Sequence, residues 1–117
     1  MAPGDIEKTA ITTPFGLFEY LKMPFGLKNA AQSFQRHMDM LFTEIPFVAV
    51  YIDDIVIASN SEKAHINHCK SVFKILRENS LRLNFDKCSF ACESVPFLGH
   101  VLSKDGFNPD PEKLKAI

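Results

Sequence analysis

The sequence has no tryptophan, only three cysteines and no excess of charge of either sign in its 117 residues. Thirteen Lys and Arg against 14 Asp and Glu leave a net charge of −1. This balance argues against a free-standing, non-specific nucleic-acid binder, although it leaves room for one basic groove. No apolar run approaches the ~18–20 residues that a membrane-spanning helix needs. The first residues also lack the basic and apolar regions of a signal peptide.

An odd number of cysteines without a secretory signal indicates free thiols in a reducing compartment. We therefore expect an intracellular, cytoplasmic protein that has no membrane partner. What the sequence does contain is 46% hydrophobic residues and 11 phenylalanines, which excludes wholesale disorder. At this length, they predict one compact domain with an aromatic-rich core.

The pattern of β-branched runs, turn residues and apolar spacing predicts the order β-β-α-β-β-α-β-β-β, an α+β fold with an antiparallel sheet and helices packed on one face. Asn29 is the expected N-cap of the first helix, and Ser59 with Glu62 forms an expected capping box for the second. The second helix should bury Ile66, Cys69, Phe73 and Leu76, and a tail helix should start near residue 109. The elements are expected near residues 9–13, 17–21, 29–44, 47–52, 55–58, 59–79, 81–83 and 88–92, with a further hairpin at 95–102.

Asp53 and Asp54 interrupt two apolar runs and are expected at the bend of a buried hairpin. Two-residue turns favour Asn-Gly or Asp-Gly, so Asp-Asp is a poor choice for turn geometry alone. Two like charges ~4 Å apart repel by roughly 4 kcal/mol at an effective dielectric of 20. A divalent cation such as Mg²⁺ would offset that repulsion, because it takes carboxylate ligands. The alternative is a solvated acidic turn that binds nothing.

The stretch Tyr51-Ile52-Asp53-Asp54 resembles the Tyr-X-Asp-Asp box of reverse transcriptases. The chain as a whole is similar to the gypsy-type branch of long-terminal-repeat retrotransposons. Within the block at residues 83–90, Phe85 departs from the family's sequence, because the family more often has proline at that position. Three further blocks carry the resemblance in the family's order: residues 23–30 with Phe34-Gln35, residues 83–90 and residues 97–100.

The resemblance implies a single partial reverse transcriptase domain over residues 1–117, a palm with a piece of the fingers. Such a domain transfers nucleotides from a dNTP to a primer 3′-hydroxyl on an RNA or DNA template, with two Mg²⁺ or Mn²⁺ ions. Asp53 would hold metal, Asp54 would support it, and Lys87 would neutralise or protonate the pyrophosphate. Phe25 and Gly26 would shape the nucleotide pocket, and Tyr51 and Ile52 would lie against the primer end. Leu98 and Gly99 would form the primer grip.

Some of these roles have structural alternatives that the sequence leaves open. Phe25 could simply pack, Lys87 could be an ordinary surface lysine, and Gly99 could serve only a tight bend. In the family, the first metal-binding aspartate belongs to a block upstream of residues that resemble the start of this chain, and Asp5 does not match it. We therefore expect a palm that is incomplete at its N-terminus and inactive in isolation. Its partners would be the rest of the polyprotein, with its thumb and RNase H, and its uncovered sheet edge would invite self-association.

Two other readings remain at the level of sequence. Cys88 and Cys92 have the spacing of a zinc-binding pair, but their alternation with Phe90 suggests the buried face of a strand. The chain could also be a catalytically idle, retroelement-derived module that binds nucleic acid or protein. In that case, a basic helical face would contact phosphates, although such a face is also typical of a solvated amphipathic helix. This face carries Lys63, Lys70, Lys74 and Arg77.

Overall fold

A computed structural model describes residues 1–114. Within that range the chain forms three α-helices, two 3₁₀ helices and seven short strands. In chain order they are a 3₁₀ helix Pro3–Thr9, β1 Ile11–Thr13, β2 Gly16–Phe18, α1 Ala30–Phe42, β3 Val48–Tyr51, β4 Asp54–Ile57, α2 Glu62–Glu78, a 3₁₀ helix Phe85–Lys87, β5 Ser94–Phe97, β6 His100–Ser103, β7 Gly106–Pro109 and α3 Pro111–Leu114.

The core lies between α1, α2 and one face of the β3–β4 hairpin. Met38 and Phe42 of α1 meet Val72 and Leu76 of α2, and these four are the buried hydrophobic residues of the described part of the chain. Alternate hairpin residues pack against them, and the strand register places these residues on one face. Those hairpin residues are Val48, Val50, Ile55 and Ile57. The predicted packing of both helices on one face is therefore confirmed.

All strand pairs are antiparallel, which confirms the predicted α+β class. The strands form three separate sheets, β1-β2, β3-β4 and β5-β6-β7, and the β3–β4 hairpin keeps two unpaired outer edges among the described residues. The radius of gyration is 18.1 Å, whereas a compact chain of this length would have about 13 Å. The open shape follows from three small sheets that share little packing.

The expectation of a compact, aromatic-rich core is wrong. Phe42 is the one buried phenylalanine of the described residues, while Phe15 and Phe25 are more than 90% exposed. The physical reason is the separation of the sheets, because no second layer among residues 1–114 packs against the β1–β2 hairpin and the loop after it. These apolar side chains therefore face outward.

The strands expected at 81–83 and 88–92 do not form. Ser80 has a positive φ of 57°, and the Leu81 N–H donates to the Leu76 carbonyl, so the chain turns back onto the end of α2. Leu81 and Leu83 then pack at the edge of the core. Their apolar character thus reflects packing against a helix. The hairpin expected at 95–102 is confirmed as β5–β6, and β7 adds a third strand that the sequence analysis did not predict.

The start of α2 differs from the predicted capping box. Ser61 is the N-cap, and its hydroxyl accepts the Ala64 N–H at 3.2 Å. Ser59 instead contacts Nδ1 of His65 at 2.9 Å and Nδ1 of His68 at 2.7 Å. Its hydroxyl therefore ties the end of β4 to the first turns of the helix.

The buried face of α2 is also rotated from the predicted stripe. Ile66 is 56% exposed, whereas Val72 is buried. The His68 ring stacks on Phe47 at a centroid distance of 3.7 Å, which sets that rotation against the hairpin. Cys69 and Phe73 are half-buried.

Two further outcomes concern the ends of helices. Asn29 does precede α1 but makes no side-chain capping bond. The expected tail helix is observed at Pro111–Leu114, and its remainder lies outside the described residues.

Among residues 1–114, no helix combines the length and apolar character that a bilayer crossing requires.

Candidate functional site

The two adjacent aspartates lie at the tip of the β3–β4 hairpin. The register pairs Tyr51 with Asp54, so the two turn residues are Ile52 and Asp53. The expected Asp53–Asp54 bend is thus displaced by one residue, and Asp54 begins β4. Tyr51 and Asp54 share the hairpin face opposite the core, since Val50 packs inward. The side chains of Asp53 and Asp54 are both exposed.

Ile52 has an unusual backbone conformation at this tip. Its φ is +50°, a left-handed value that is rare for a β-branched residue. Such a conformation costs about 1–3 kcal/mol and persists only when the surrounding structure imposes it. Residues held in this way are common at functional sites. The turn between the aspartate-bearing strands is therefore held in place by contacts from outside the hairpin.

Gln35 of α1 supplies those contacts. Its side-chain oxygen accepts the Ile52 N–H, and its Nε2 donates to the Val50 carbonyl at 3.1 Å. The same nitrogen donates to Asp39 Oδ1 at 2.8 Å, so a carboxylate one helical turn later orients the amide. One side chain thus fixes the backbone at two positions directly before Asp53.

The sequence analysis placed Gln35 in a family block but assigned it no role. The sequence offered one sign of such a role. Gln35 and Asp39 are four residues apart, so they are neighbours on the surface of a helix, beside its apolar face. That spacing indicates an ordered polar pair. It does not identify the hairpin backbone as the partner.

Replacing Gln35 by alanine should lower the free energy of unfolding by about 1–3 kcal/mol, because the part-buried Ile52 N–H and Val50 carbonyl lose their partner. The matched control is Gln32→Ala, an exposed position one turn earlier on α1, which should change it by less than about 0.5 kcal/mol. Urea unfolding followed by circular dichroism measures both. Equal effects from the two variants would refute the assignment of Gln35 as the anchor of the hairpin.

An open groove of about 650 Å³ runs between α1 and the hairpin tip. Its walls combine amide, guanidinium and carboxylate groups of α1 with the side of the hairpin that precedes Asp53. The groove therefore lies beside the two hairpin residues that directly precede Asp53. The residues that line it are Ala31, Gln32, Gln35, Arg36, Asp39, Tyr51 and Ile52.

The other predicted site residues lie on separate elements. Phe25 and Gly26 belong to the loop before α1, where Phe25 is 95% exposed and Gly26 has a φ of +89°. Lys87 is the exposed last residue of the second 3₁₀ helix. Within residues 1–114, no hydrogen bond joins these three residues to the hairpin tip. The structure brings together the Tyr51–Asp54 hairpin tip and Gln35.

Leu98 and Gly99 form the tip of the β5–β6 hairpin. Their φ values of +53° and +75° are those of a two-residue turn with both central residues in the left-handed region. Glycine adopts this conformation readily, whereas Leu98 does so at a cost and remains half exposed. The structure thus gives Gly99 a turn role and presents Leu98 outward.

The described residues hold no third acidic or basic ligand beside the two aspartates. Within residues 1–114, no group of three or more His, Cys, Asp or Glu side chains converges on one point. Asp5 instead binds Lys8 at 2.7 Å, and this hydrogen bond holds the pKa of the Asp5 carboxyl below its usual value. A complete metal site therefore needs at least one ligand in addition to Asp53 and Asp54.

The zinc alternative lacks a ligand set in the same part of the chain. Cys88 and Cys92 do not lie on a strand, and Cys92 is exposed, so the predicted buried alternation is wrong. Burial raises the pKa of the Cys69 thiol, which favours the neutral form that metals bind poorly. Within the described residues, none of these thiols therefore belongs to a cluster of three or more metal-binding side chains.

Comparisons with family models, curated proteins and solved structures all match this chain to reverse transcriptases. Residues 1–102 match the family described as reverse transcriptase (RNA-dependent DNA polymerase). The chain is 45% identical over 114 residues to the retrovirus-related Pol polyprotein from transposon 297 of Drosophila melanogaster, covering 96% of this chain and 11% of that protein. It is 41% identical to the corresponding polyprotein from transposon gypsy of the same organism, covering 100% of this chain and 12% of that protein. The chain thus spans only about a tenth of the length of these relatives.

Solved structures show the same fold. The foamy viral protease-reverse transcriptase dRH in complex with double-stranded DNA superimposes with a TM-score of 0.88 at 26% identity, over 100% of this chain and 21% of that one. The foamy viral protease-reverse transcriptase in complex with RNA/DNA hybrid gives a TM-score of 0.81 at 27% identity, over 92% of this chain and 15% of that one. The match extends through the hairpin that carries the aspartates. This chain belongs to the reverse transcriptase family.

Proposed function

We propose that this chain is the part of a retrotransposon RNA-directed DNA polymerase that carries the Asp-Asp hairpin, within a partial domain that spans residues 1–117. The reaction is transfer of a nucleotide from a dNTP to a primer 3′-hydroxyl on an RNA or DNA template. One observation carries the proposal. In a chain of this family, the Tyr51–Asp54 tip presents two exposed carboxylates on a turn that Gln35 holds in a strained conformation.

The residues at the tip fit a divalent cation. Mg²⁺ binds oxygen ligands and commonly uses one or two carboxylates, with waters and substrate phosphates completing its shell. Asp53 and Asp54 are adjacent and exposed, and neither forms an ion pair among the described residues. Asp53 would hold the ion and Asp54 would support it. When bound, Mg²⁺ or Mn²⁺ ions supply activation of the primer hydroxyl and stabilisation of the leaving pyrophosphate.

The chain's other residues would position the substrates. Tyr51 lies beside Asp54 on the outer face of the hairpin, where it would contact the primer end together with Ile52. Arg36 in the adjacent groove is a cation suited to phosphate oxygens. Phe25 and Gly26 would shape the nucleotide pocket, a role supported by the full exposure of the Phe25 ring.

The remaining assignments rest on exposure and on the family. Lys87 is an exposed cation that would neutralise or protonate the pyrophosphate. Leu98, presented by the turn at Gly99, would grip the primer backbone. Other parts of the polyprotein, including a thumb and an RNase H region, would complete the enzyme in the cytoplasm. The unpaired edges of the β3–β4 hairpin are where such a part, or a second copy, would add a strand.

A chimeric polymerase tests the proposal. Residues 1–114 of this chain would replace the matching segment of the transposon 297 polymerase, which is 45% identical. We expect the chimera to extend a primer on an RNA template with Mg²⁺. The isolated chain should not extend it, since two carboxylates without a third ligand position metal poorly. A folded chimera that extends no primer would contradict the proposal and favour a catalytically idle binding module.

A further inference from the structure

The outward face of α2 carries a row of four cations that has no part in the catalytic proposal. Lys63, Lys70, Lys74 and Arg77 lie within about 60° of one another around the helix axis, at 100° per residue, and span about 21 Å along it. All four are exposed. Val72 and Leu76 lie on the opposite side of the helix, against the hairpin core. The row therefore points away from the core and from the β3–β4 hairpin that packs against it.

This cationic row has little internal neutralisation. Lys74 approaches Glu78 at 4.0 Å, and both side chains are largely exposed, so the pair is a weak one. Within residues 1–114, the other three cations have no carboxylate within 4.0 Å. The net charge of the chain is −1, so this concentration of positive charge is local. Such a row attracts a polyanion and releases its counterions on binding.

Aromatic rings continue the same surface. Phe73 lines a groove of about 450 Å³ together with Lys70, Lys74, Arg77 and Glu78, so three cations outnumber one carboxylate there. The Phe73 ring meets Phe90 edge to face at 6.3 Å, and Phe90 lies 6.4 Å from Phe85. Phe90 is 49% exposed and Phe85 is 66% exposed. A basic groove bordered by exposed rings is the arrangement that binds single-stranded nucleic acid, with cations on the phosphates and rings against the bases.

We propose that the outward face of α2, with the Phe85–Phe90 rings, is a second nucleic-acid surface that binds a single strand away from the catalytic hairpin. Charge complementarity selects a polyanion, and the exposed aromatic faces select one with unpaired bases. A duplex would offer phosphates to the cations but no base faces to the rings. The surface requires no metal, so its occupancy is independent of Asp53 and Asp54.

The test is fluorescence anisotropy of the 117-residue chain with a labelled 20-nucleotide oligo(dT), in EDTA and over a series of salt concentrations. The triple variant Lys70→Gln/Lys74→Gln/Arg77→Gln should bind roughly tenfold or more weakly, and the slope of log affinity against log salt should fall by about 2. The matched control is Lys22→Gln/Lys28→Gln/Lys104→Gln. It removes three exposed charges elsewhere and should leave binding nearly unchanged.

A second pair of variants tests the rings. Phe85→Ala should weaken oligo(dT) binding about fivefold or more, and it should affect a duplex of equal length less. Phe15→Ala, an exposed ring on the β1–β2 hairpin turn, should have no effect. Circular dichroism establishes that each variant is folded. The proposal is overturned if the folded chain fails to bind at 50 mM salt, if both triple variants weaken binding equally, or if Phe85→Ala changes nothing. Loss of primer extension in the chimera would leave these results untouched.

Discussion

Met38→Ala is expected to abolish cooperative unfolding of the 117-residue chain. Met38 is 2% exposed and belongs to a buried cluster of four side chains. Truncating a buried methionine costs about 2–5 kcal/mol, because its contacts are lost and a cavity remains. A small domain with so limited a core has only a few kcal/mol of stability in total. The substitution should therefore remove most or all of that stability.

Met40→Ala is the matched control for this prediction. Met40 belongs to the same helix two residues later, but it is 72% exposed. The change in helix propensity is identical, so the comparison isolates burial. Thermal and urea unfolding, followed by circular dichroism at 222 nm, measure both variants. A Met38→Ala chain that unfolds at the same denaturant concentration as Met40→Ala would show that the α1–α2 interface does not hold the fold together.

Asp53→Asn is expected to have the largest effect on catalysis in the chimeric polymerase. The amide keeps the size of the side chain, but it loses the negative charge that holds a cation and replaces one acceptor oxygen with a donor NH₂. We expect the primer-extension rate to fall on the order of 10²–10³-fold, the range for loss of one electrostatic stabiliser of a transition state. Single-turnover extension with saturating dNTP measures the rate of chemistry.

Asp105→Asn provides the control for Asp53→Asn. Asp105 is an exposed aspartate in the β6–β7 turn, so it loses the same charge at a comparable degree of exposure. Its extension rate should match that of the parent chimera. If Asp53→Asn extends primers at the parental rate while remaining folded, Asp53 is not a metal ligand and the catalytic assignment fails.

The central elements of the fold follow from sequence patterns because their partners are nearby in the chain. The apolar spacing that follows the expected N-cap at Asn29 predicted a helix at 29–44, and α1 occupies Ala30–Phe42. The apolar runs on either side of Asp53 predicted the β3–β4 hairpin to within two residues. Leu81 and Leu83 were misassigned to a strand, since their apolar alternation reflects packing against the core between α1 and α2. Alternation alone does not distinguish those two environments.

The sequence predicted the chemistry of the site better than its geometry. Two adjacent carboxylates between apolar strands indicated a cation, and their family context identified the Tyr51–Asp54 box. The strained turn at Ile52 and its bond to Gln35 were not predictable, because those residues are 17 positions apart and meet only once α1 packs on β3. The exposure of the phenylalanines was missed for a related reason. Composition counts apolar residues but does not report whether a second layer covers them.

The most direct test of the central claim is the location of bound Mn²⁺ on the chain. In ¹H–¹⁵N correlation spectra, paramagnetic Mn²⁺ broadens the amide signals nearest to it. We expect the first signals lost during a titration to be those of residues 51–54 and of Gln35. Asp53→Asn/Asp54→Asn should prevent that loss while the remaining spectrum is preserved. Broadening centred on another acidic position, such as Glu78 or Glu112, or broadening that persists in the double variant, would contradict a metal-binding hairpin.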